Sequence, residues 1–426
     1  MTPRRAHLGA GTLAAAVLVL VACQQPAPGE PDQRSDAERV VVQVSDAEAA
    51  TDVVSATEAF GLTMLASGDA DSNVVTSPAS AVVALAMLAE GARGVSEAEL
   101  DALLGASGPD RTDAVGALLA ALQEHDGDPA LAAADELPET PLAHLANQIV
   151  LDEGFEVRAE FLDTLAAGYG AGIATADLAT RDGVRVLGAW VREHTGGLIP
   201  GSAIEPKPEL RLVLQNVVVL AARWESPFDA SDTRDVPFAV RADDVPLVRT
   251  MHGLREVPYA EVDGWRAARV PYAEAFSADL VLPPDGVDPA DVPAGTLGAL
   301  VAALDAAQPV EVELAVPALD LPPARLALAP AIEAAGAASL LDPDTADLTG
   351  IDDDLFVGQA VQQAMLRMDE EGTVAAAVTE IGVELSSGEA PRDARELSLD
   401  RPYLVRIAHD DTGWPLFVAA IRDPRG

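Results

Sequence analysis

The sequence has few positive charges. Only 27 of its 426 residues are lysine or arginine, and Lys207 is the one lysine, against 69 aspartates and glutamates. The resulting net charge of −42 argues against nucleic acid or an anionic membrane surface as a partner, because phosphate binding requires a basic footprint. The acidity is typical of a highly soluble protein, with recognition of a basic partner as the alternative.

Cysteine is almost absent, since Cys23 is the only one and no disulfide can form within the chain. Arg4 and Arg5 precede an apolar run at 8–22, which is short for a membrane span but suits a signal peptide. The small residues directly before Cys23 resemble the lipobox of bacterial lipoproteins. That resemblance implies cleavage before Cys23 and attachment of a lipid to its thiol. An ordinary secretory signal is the alternative.

The remaining chain divides into two parts. Residues 23–46 are polar and rich in proline, which predicts a flexible tether. Residues 47–426 are long enough for one large domain. We therefore expect a signal peptide at 1–22, a tether at 23–46 and a folded domain at 47–426, held at the outer face of the bacterial membrane by lipidated Cys23.

Helical and strand patterns alternate in the folded part without an internal repeat, which predicts one α+β domain with mixed sheets. A helix is expected to begin with Ser96 as N-cap and Glu99 as capping-box partner. Residues 108–139 are interpreted as a broken helix in a surface insertion. Residues 212–221 are apolar enough for a strand buried on both faces. The other predicted helices cover 47–67, 80–92, 184–195 and 326–335. The other predicted strands cover 146–151, 236–241, 266–271, 278–282, 310–316, 403–408 and 416–421.

The segment 368–385 has a period-two pattern. Its odd-numbered residues from Thr373 to Leu385 are apolar or small, whereas the even-numbered ones become acidic at Glu380 and Glu384. This predicts a strand that buries one face, yet the polar residues 386–396 that follow read as an exposed loop. From spacing alone, an ordinary strand followed by a surface loop is an open alternative.

The same segment resembles the reactive-loop hinge of the serpin family. The resemblance rests on Glu370, Glu371, Gly372 and Thr373, followed by Ala375, Ala376, Ala377 and Thr379. Small side chains would let this strand pass between two others, and Gly372 would supply a hinge. Val374 stands where the family usually has glutamate.

Further segments match the family in order over residues 48–426. Asn73, Ser77, Pro78 and Ser80 resemble the shutter under the main sheet. Asn216 and Trp224 lie in the segment that resembles the strand leading to the breach, the place where the loop first enters the sheet. Gln362 stands where a shutter histidine is usual, and an amide there can still donate and accept. We therefore expect Gln362 to join a hydrogen-bond network with Ser77 and Asn216.

The resemblance implies a serpin fold, with a mixed central sheet, additional sheets, about eight or nine helices and an exposed reactive loop. It implies a metastable, monomeric inhibitor of a serine or cysteine protease, in which the cleaved loop inserts into the central sheet. Such a protein is not an enzyme and needs no cofactor or metal, and its membrane contact would be the lipid anchor alone. A non-inhibitory serpin-fold binding protein at the cell surface is the alternative. A weaker third option, a lipoprotein with an unrelated binding role, requires that the order of the motifs be coincidence.

The family's usual loop length places the scissile bond at Ser386–Ser387, or at Leu385–Ser386 with one residue of slack. Leu385 suits a chymotrypsin- or elastase-like pocket, because an apolar side chain gains about 1.5–3 kcal/mol on burial. The six histidines are scattered, with no HExxH or G-x-S-x-G motif. The sequence therefore offers no candidate catalytic or metal site.

Overall fold

Helices and strands alternate from residue 50 to the C-terminus in the computed structural model, which describes residues 35, 37–134, 136–241, 243–374 and 394–426. The α-helices in these ranges are α1 (Ala50–Ala66), α2 (Pro78–Ala89), α3 (Gly94–Leu104), α4 (Gly108–Leu122), α5 (Ala159–Tyr169), α6 (Arg181–His194), α7 (Ala294–Ala306) and α8 (Ala329–Ala334). The strands are β1 (Val74–Thr76), β2 (Leu142–Asp152), β3 (Gly172–Ala176), β4 (Leu212–Arg223), β5 (Arg234–Pro237), β6 (Leu247–Val257), β7 (Tyr259–Val262), β8 (Trp265–Pro271), β9 (Phe276–Leu282), β10 (Val310–Pro317), β11 (Leu319–Ala327), β12 (Val361–Met368), β13 (Gly372–Thr373), β14 (Arg395–Ser398), β15 (Tyr403–His409) and β16 (Pro415–Ile421).

The strands form three sheets. The central sheet has the order β11-β12-β13-β4-β2-β3, and it is mixed because β2 and β3 run parallel whereas its other neighbours are antiparallel. A second sheet has the order β1-β16-β15-β9-β8-β7, and a third has the order β14-β10-β6-β5. The predicted α+β fold with a mixed central sheet is confirmed.

Two helices cover opposite faces of the central sheet. Helix α2 is buried along most of its length and begins at Pro78, with Ser77 as N-cap accepting from the Ser80 amide at 3.3 Å. On the other face, α6 ends at His194 and is followed by Gly196 and Gly197, both with positive φ. Alternate residues of β4 therefore face the α2 core or α6.

Two local predictions are wrong, and two predicted elements have different bounds. The helix predicted to start at Ser96 begins at Gly94, because the Ser96 hydroxyl instead contacts Ser339 Oγ at 2.9 Å and Glu99 accepts from the Ser339 amide. The supposed surface insertion begins with α4, which packs Leu118 and other apolar residues into the core. The strand predicted over 236–241 is β5 at Arg234–Pro237, and the helix predicted over 326–335 is α8 at Ala329–Ala334.

The N-terminal end of the described chain contacts the domain. Within the predicted tether, the Val40 amide donates to the Ala167 carbonyl at 2.9 Å, and Val42 and Val44 pack against the core. None of the helices in the described ranges is long and apolar enough to span a bilayer.

Candidate functional site: an open strand position in the central sheet

Strand β4 is paired very differently along its two edges. Towards β2 it forms a continuous antiparallel ladder from Leu142–Ala221 to Leu151–Leu212. Towards β12, the described residues form no direct ladder with β4, and only the two residues of β13 stand between the strands. The central sheet therefore has an open strand position beside β4.

The hinge occupies the end of this position beside Ala222 and Arg223 of β4, which we call its upper end. Gly372 and Thr373 of β13 pair with Arg223 and Ala222 of β4, and Thr373 also pairs with Met368 of β12. One step further, the Val374 amide donates to the Arg367 carbonyl at 3.0 Å. The predicted hinge thus enters the sheet as an antiparallel strand and has formed its first rungs on both sides.

Below the hinge, the gap is a cavity of about 160 Å³. It is lined by β4, by β12 and by the start of α2, and Thr373 and Val374 close its upper end. The sequence predicted β4 to be buried on both faces, but only residues 219–222 are consecutively buried. From 212 to 218 every second residue is half-buried, and no strand of the described ranges pairs with β4 along this edge below β13.

Gly372 fits where it does because it has no side chain. A Cβ on Gly372 would lie 2.2 Å from the Ala222 carbonyl oxygen and 2.8 Å from the Arg223 Cα. Any other residue would push β13 away from β4 at the first rung. The hinge glycine of the sequence prediction is therefore required by close backbone approach.

The segment before the hinge is tied to the turn after β4. Trp224 donates its indole Nε1 to the Asp369 carbonyl at 2.9 Å and its amide to the Glu371 carbonyl at 2.8 Å. The Phe228 amide donates to the Glu370 carbonyl at 2.8 Å, and Arg249 Nη2 donates to Glu370 Oε1 at 2.6 Å. Trp224, which the sequence analysis placed in a different segment, is thus brought together with Glu370 and Glu371 of the hinge.

The carboxylates of this segment are shifted in opposite directions. Burial raises the pKa of Asp369, although its carboxylate accepts from the amides of Glu371 and Gly372. Burial alone would also raise the pKa of Glu370, but hydrogen bonds, including the one from Arg249, lower it instead. These hydrogen bonds together stabilise the charged carboxylate of Glu370.

Tyr272 is a contact residue that the sequence analysis did not single out. Its phenol oxygen lies 2.5 Å from Thr373 Oγ1, and its ring stacks on Trp224 with 4.4 Å between centroids. Both Tyr272 and Thr373 are buried, and burial raises the pKa of the phenol. The neutral hydroxyl pair anchors the first inward-facing residue of the hinge.

The shutter residues lie at the lower part of the cavity. Gln362 on β12 accepts from the Ser77 amide at 2.9 Å and donates to the Ser77 carbonyl at 2.7 Å. The expected bond between Gln362 and Asn216 is not formed, because the Asn216 amide donates to Asn147 Oδ1 at 2.6 Å instead. Gln362 thus joins β12 to the backbone at the start of α2.

Asn216 keeps an unused acceptor next to the gap. Its Oδ1 is shielded from solvent and has no hydrogen-bond partner, although Ser80 Oγ reaches the Asn216 carbonyl at 3.5 Å. A buried unpaired carbonyl of this kind costs about 1–3 kcal/mol. The gap therefore contains an acceptor that a further hydroxyl or amide would satisfy.

Asn73 does not belong to the cavity. Its side chain accepts from the amides of Arg422 and Asp423 and donates to the Asp423 carbonyl, so it fastens the chain terminus beside β1. Other predicted site residues lie outside the described ranges. These are Cys23, Ala375, Ala376, Ala377, Thr379, Leu385, Ser386 and Ser387.

Comparisons with known proteins give this geometry a family. The model of the family described as "Serpin (serine protease inhibitor)" matches residues 55–424. The chain belongs to the serpin family. Its family and its fold therefore agree with the resemblance carried by the hinge.

Three relatives illustrate the similarity of this serpin. Iripin-8 of Ixodes ricinus is 28% identical over 361 residues, which cover 82% of this chain and 87% of the relative. The leukocyte elastase inhibitor of Sus scrofa is 26% identical over 368 residues, 83% of this chain and 93% of the relative. The crystal structure of tengpin, a thermophilic serpin, in its native state has a TM-score of 0.80 at 22% identity, covering 93% of this chain and all of that one.

Proposed function

We propose that this serpin inhibits a serine or cysteine protease by inserting its cleaved loop into the open position beside β4. The observation that carries the proposal is the hinge itself, already paired at Gly372 and Thr373 with β4 and β12, which pair with no other strand of the described chain between them. Attack at Ser386–Ser387, or at Leu385–Ser386, would free the segment behind it. The trapped protease would then be carried along the sheet.

The register of β13 supports the proposal. Thr373 lies opposite Ala222, so the same register would bring Thr379 opposite Asn216 and Val383 opposite Leu212 at the end of β4. Thr373 faces the α2 core, and the odd-numbered residues after it, which are apolar or small, would follow it inward. The hydroxyl of Thr379 would then reach the acceptor that Asn216 leaves unpaired.

The experiment is complex formation with a target protease. The full chain is mixed with elastase or chymotrypsin, chosen because Leu385 suits their pockets and because one relative is named an elastase inhibitor. We expect a complex that survives SDS. The variant Thr379→Arg should abolish the complex and leave cleavage intact, because a charged side chain cannot enter the core.

The matched control is Glu389→Arg, which adds the same side chain beyond the predicted scissile bond and should still form the complex. Clean cleavage of the wild-type loop by proteases of several classes without a stable complex would overturn inhibition. It would favour the alternative, a serpin-fold binding protein at the cell surface.

We also propose that the protein acts outside the cell, anchored through lipidated Cys23. The support is the order of Arg4, Arg5, the apolar run and the lone cysteine. Metabolic labelling with a radioactive fatty acid tests it. Wild type should incorporate label, Cys23→Ser should not, and labelling of Cys23→Ser would contradict the anchor.

A further inference from the structure

A second cavity has a volume of about 350 Å³. It opens between the end of α4, strand β2, the end of α5 and helix α6. Its polar lining includes Arg39, Gln123, Asp126, His144 and His194. None of these residues lines the gap beside β4, so the insertion mechanism does not account for them.

Arg39 is placed in this cavity by two backbone features. The Val40 amide donates to the Ala167 carbonyl at 2.9 Å, which fixes the chain beside α5. Gly170, with a φ of 62°, ends α5 and leaves room for the guanidinium, because a Cβ there would collide with Arg39 Nη1. The side chain is therefore accommodated specifically, although it is not held by another side chain.

The guanidinium has an unused binding edge. Arg39 Nε and Nη2 are both shielded from solvent and have no hydrogen-bond partner. These two nitrogens lie along one edge of the guanidinium plane, and their N–H groups match the two oxygens of a carboxylate or phosphate. Burial lowers the pKa of Arg39, and no neighbouring charge opposes that effect.

Other buried arginines of the same chain show what this edge binds. Arg422 directs Nε and Nη2 to the two carboxylate oxygens of Asp288, each at 2.7 Å. Arg269 does the same to Asp279 at 2.6 and 3.1 Å. In a chain with 69 acidic residues, Arg39 has the same edge without a carboxylate on it.

The acidic residue of the cavity is already engaged. Asp126 Oδ1 lies 2.7 Å from His144 Nδ1, and His144 Nε2 lies 2.9 Å from His194 Nδ1. The carboxylate is therefore bound to the histidine pair and makes no hydrogen bond to Arg39. Among the described residues, no carboxylate is bound to the guanidinium of Arg39.

We propose that this cavity binds a small solute through an oxyanion group, a carboxylate, sulfate or phosphate, held by the Nε and Nη2 edge of Arg39. The flexible side chain must rotate slightly to present the edge, since both nitrogens are covered in the present conformer. The site is independent of loop insertion, so it stands whether or not the protein inhibits a protease.

Isothermal titration calorimetry of the full chain tests the site. Sodium acetate, sulfate and phosphate are titrated separately at constant ionic strength, with sodium chloride as reference. We expect saturable binding of one anion per chain for at least one of the three. Arg39→Met should weaken it at least tenfold, and Arg39→Lys, which keeps the charge but loses the two-nitrogen edge, should weaken it by a smaller factor.

The control is Arg255→Met. Burial also lowers the pKa of Arg255 and its Nε has no partner, but its Nη1 and Nη2 donate to the carbonyls of Leu254 and Pro227. This variant should bind the anion as wild type does. Absence of saturable binding to wild type, or equal affinities for wild type and Arg39→Met, would overturn the proposal, and the wild-type titration decides even if a variant does not fold.

Discussion

The two edges of β4 differ although they belong to the same strand. The edge towards β2 has a ladder of ten residue pairs, whereas the edge towards β12 has two pairs, both made by the hinge. The side chains of β4 alternate between the α2 core and α6. The sequence of β4 therefore suits a central strand with a neighbour on each edge. The difference arises because, within the described ranges, only the two residues of β13 pair with the second edge, and a cavity lies beyond them.

The comparison also indicates where free energy is available. Each backbone hydrogen bond that forms when a new strand enters contributes about 0.5–1.5 kcal/mol net, and the unpaired Asn216 Oδ1 adds a similar amount once satisfied. The edge of β4 towards β2, which we call the closed edge, is already paired and can gain no comparable free energy. A segment released from the surface would therefore stabilise the fold mainly by filling the open edge.

Cutting the loop should give the largest effect. Cleavage near residue 386 frees the hinge, and about ten inserted residues should raise the melting temperature by at least ~10 °C. Differential scanning calorimetry before and after proteolysis measures the shift. Cleaved Thr379→Arg, in which entry is blocked, should melt close to the uncut protein; an unchanged melting temperature for cleaved wild type would remove the basis of the comparison.

Removing the side-chain amide of the shutter residue Gln362 should destabilise the side of the gap that β12 forms. Gln362→Ala leaves the buried Ser77 amide without a partner, while the Ser77 carbonyl keeps the hydrogen bond from the Ala81 amide, so we expect a loss of about 1–3 kcal/mol in the free energy of unfolding by urea. The control is Gln359→Ala, because Gln359 makes the same pair of bonds to Glu205 at the surface. An equally large loss in both variants would show that burial beside the gap is irrelevant.

The sequence predicted β4, one of the two strands that flank the gap, because its apolar run carries its meaning in a few consecutive positions. The hinge was inferred from the family resemblance, and β12 was not among the predicted strands. β15 and β16 were also predicted within a residue or two at their ends, with the Asp410–Gly413 turn between them. These elements owe their structure to alternation and turn chemistry.

Long-range contacts explain what the sequence did not reveal. Ser96 has an ideal capping sequence, yet its hydroxyl is recruited by Ser339, 243 residues away. β6 mixes charged residues and a glycine, so its strand character comes from pairing with β5 and β10. Tyr272 meets Thr373 across 101 residues, and no local signal could have identified it as part of the site.

The hydroxyl pair at the top of the gap should have a moderate effect. Tyr272→Phe removes the partner of Thr373 Oγ1 and should cost about 1 kcal/mol in the free energy of unfolding. A double-mutant cycle with Thr373→Val should give a coupling energy of similar size. Tyr259→Phe is the control, since Tyr259 bonds Glu261 in solvent. A coupling energy near zero would mean that this contact does not anchor the hinge.

The smallest effect should come from the closed edge, where His144 of β2 meets His194 of α6. Burial lowers the pKa of His194, and proximity to His144 lowers it further, so the unfolded chain binds the proton first as the pH falls below ~6.5. The free energy of unfolding should therefore decrease as the pH falls from 7.5 to 5.5. His194→Gln should reduce this loss of unfolding free energy, measured in urea, by up to ~1 kcal/mol. The rise in melting temperature on loop cleavage should stay unchanged. An identical pH profile in this variant would place the proton-sensitive group elsewhere, with buried His409, whose pKa burial also lowers, as the next residue to replace.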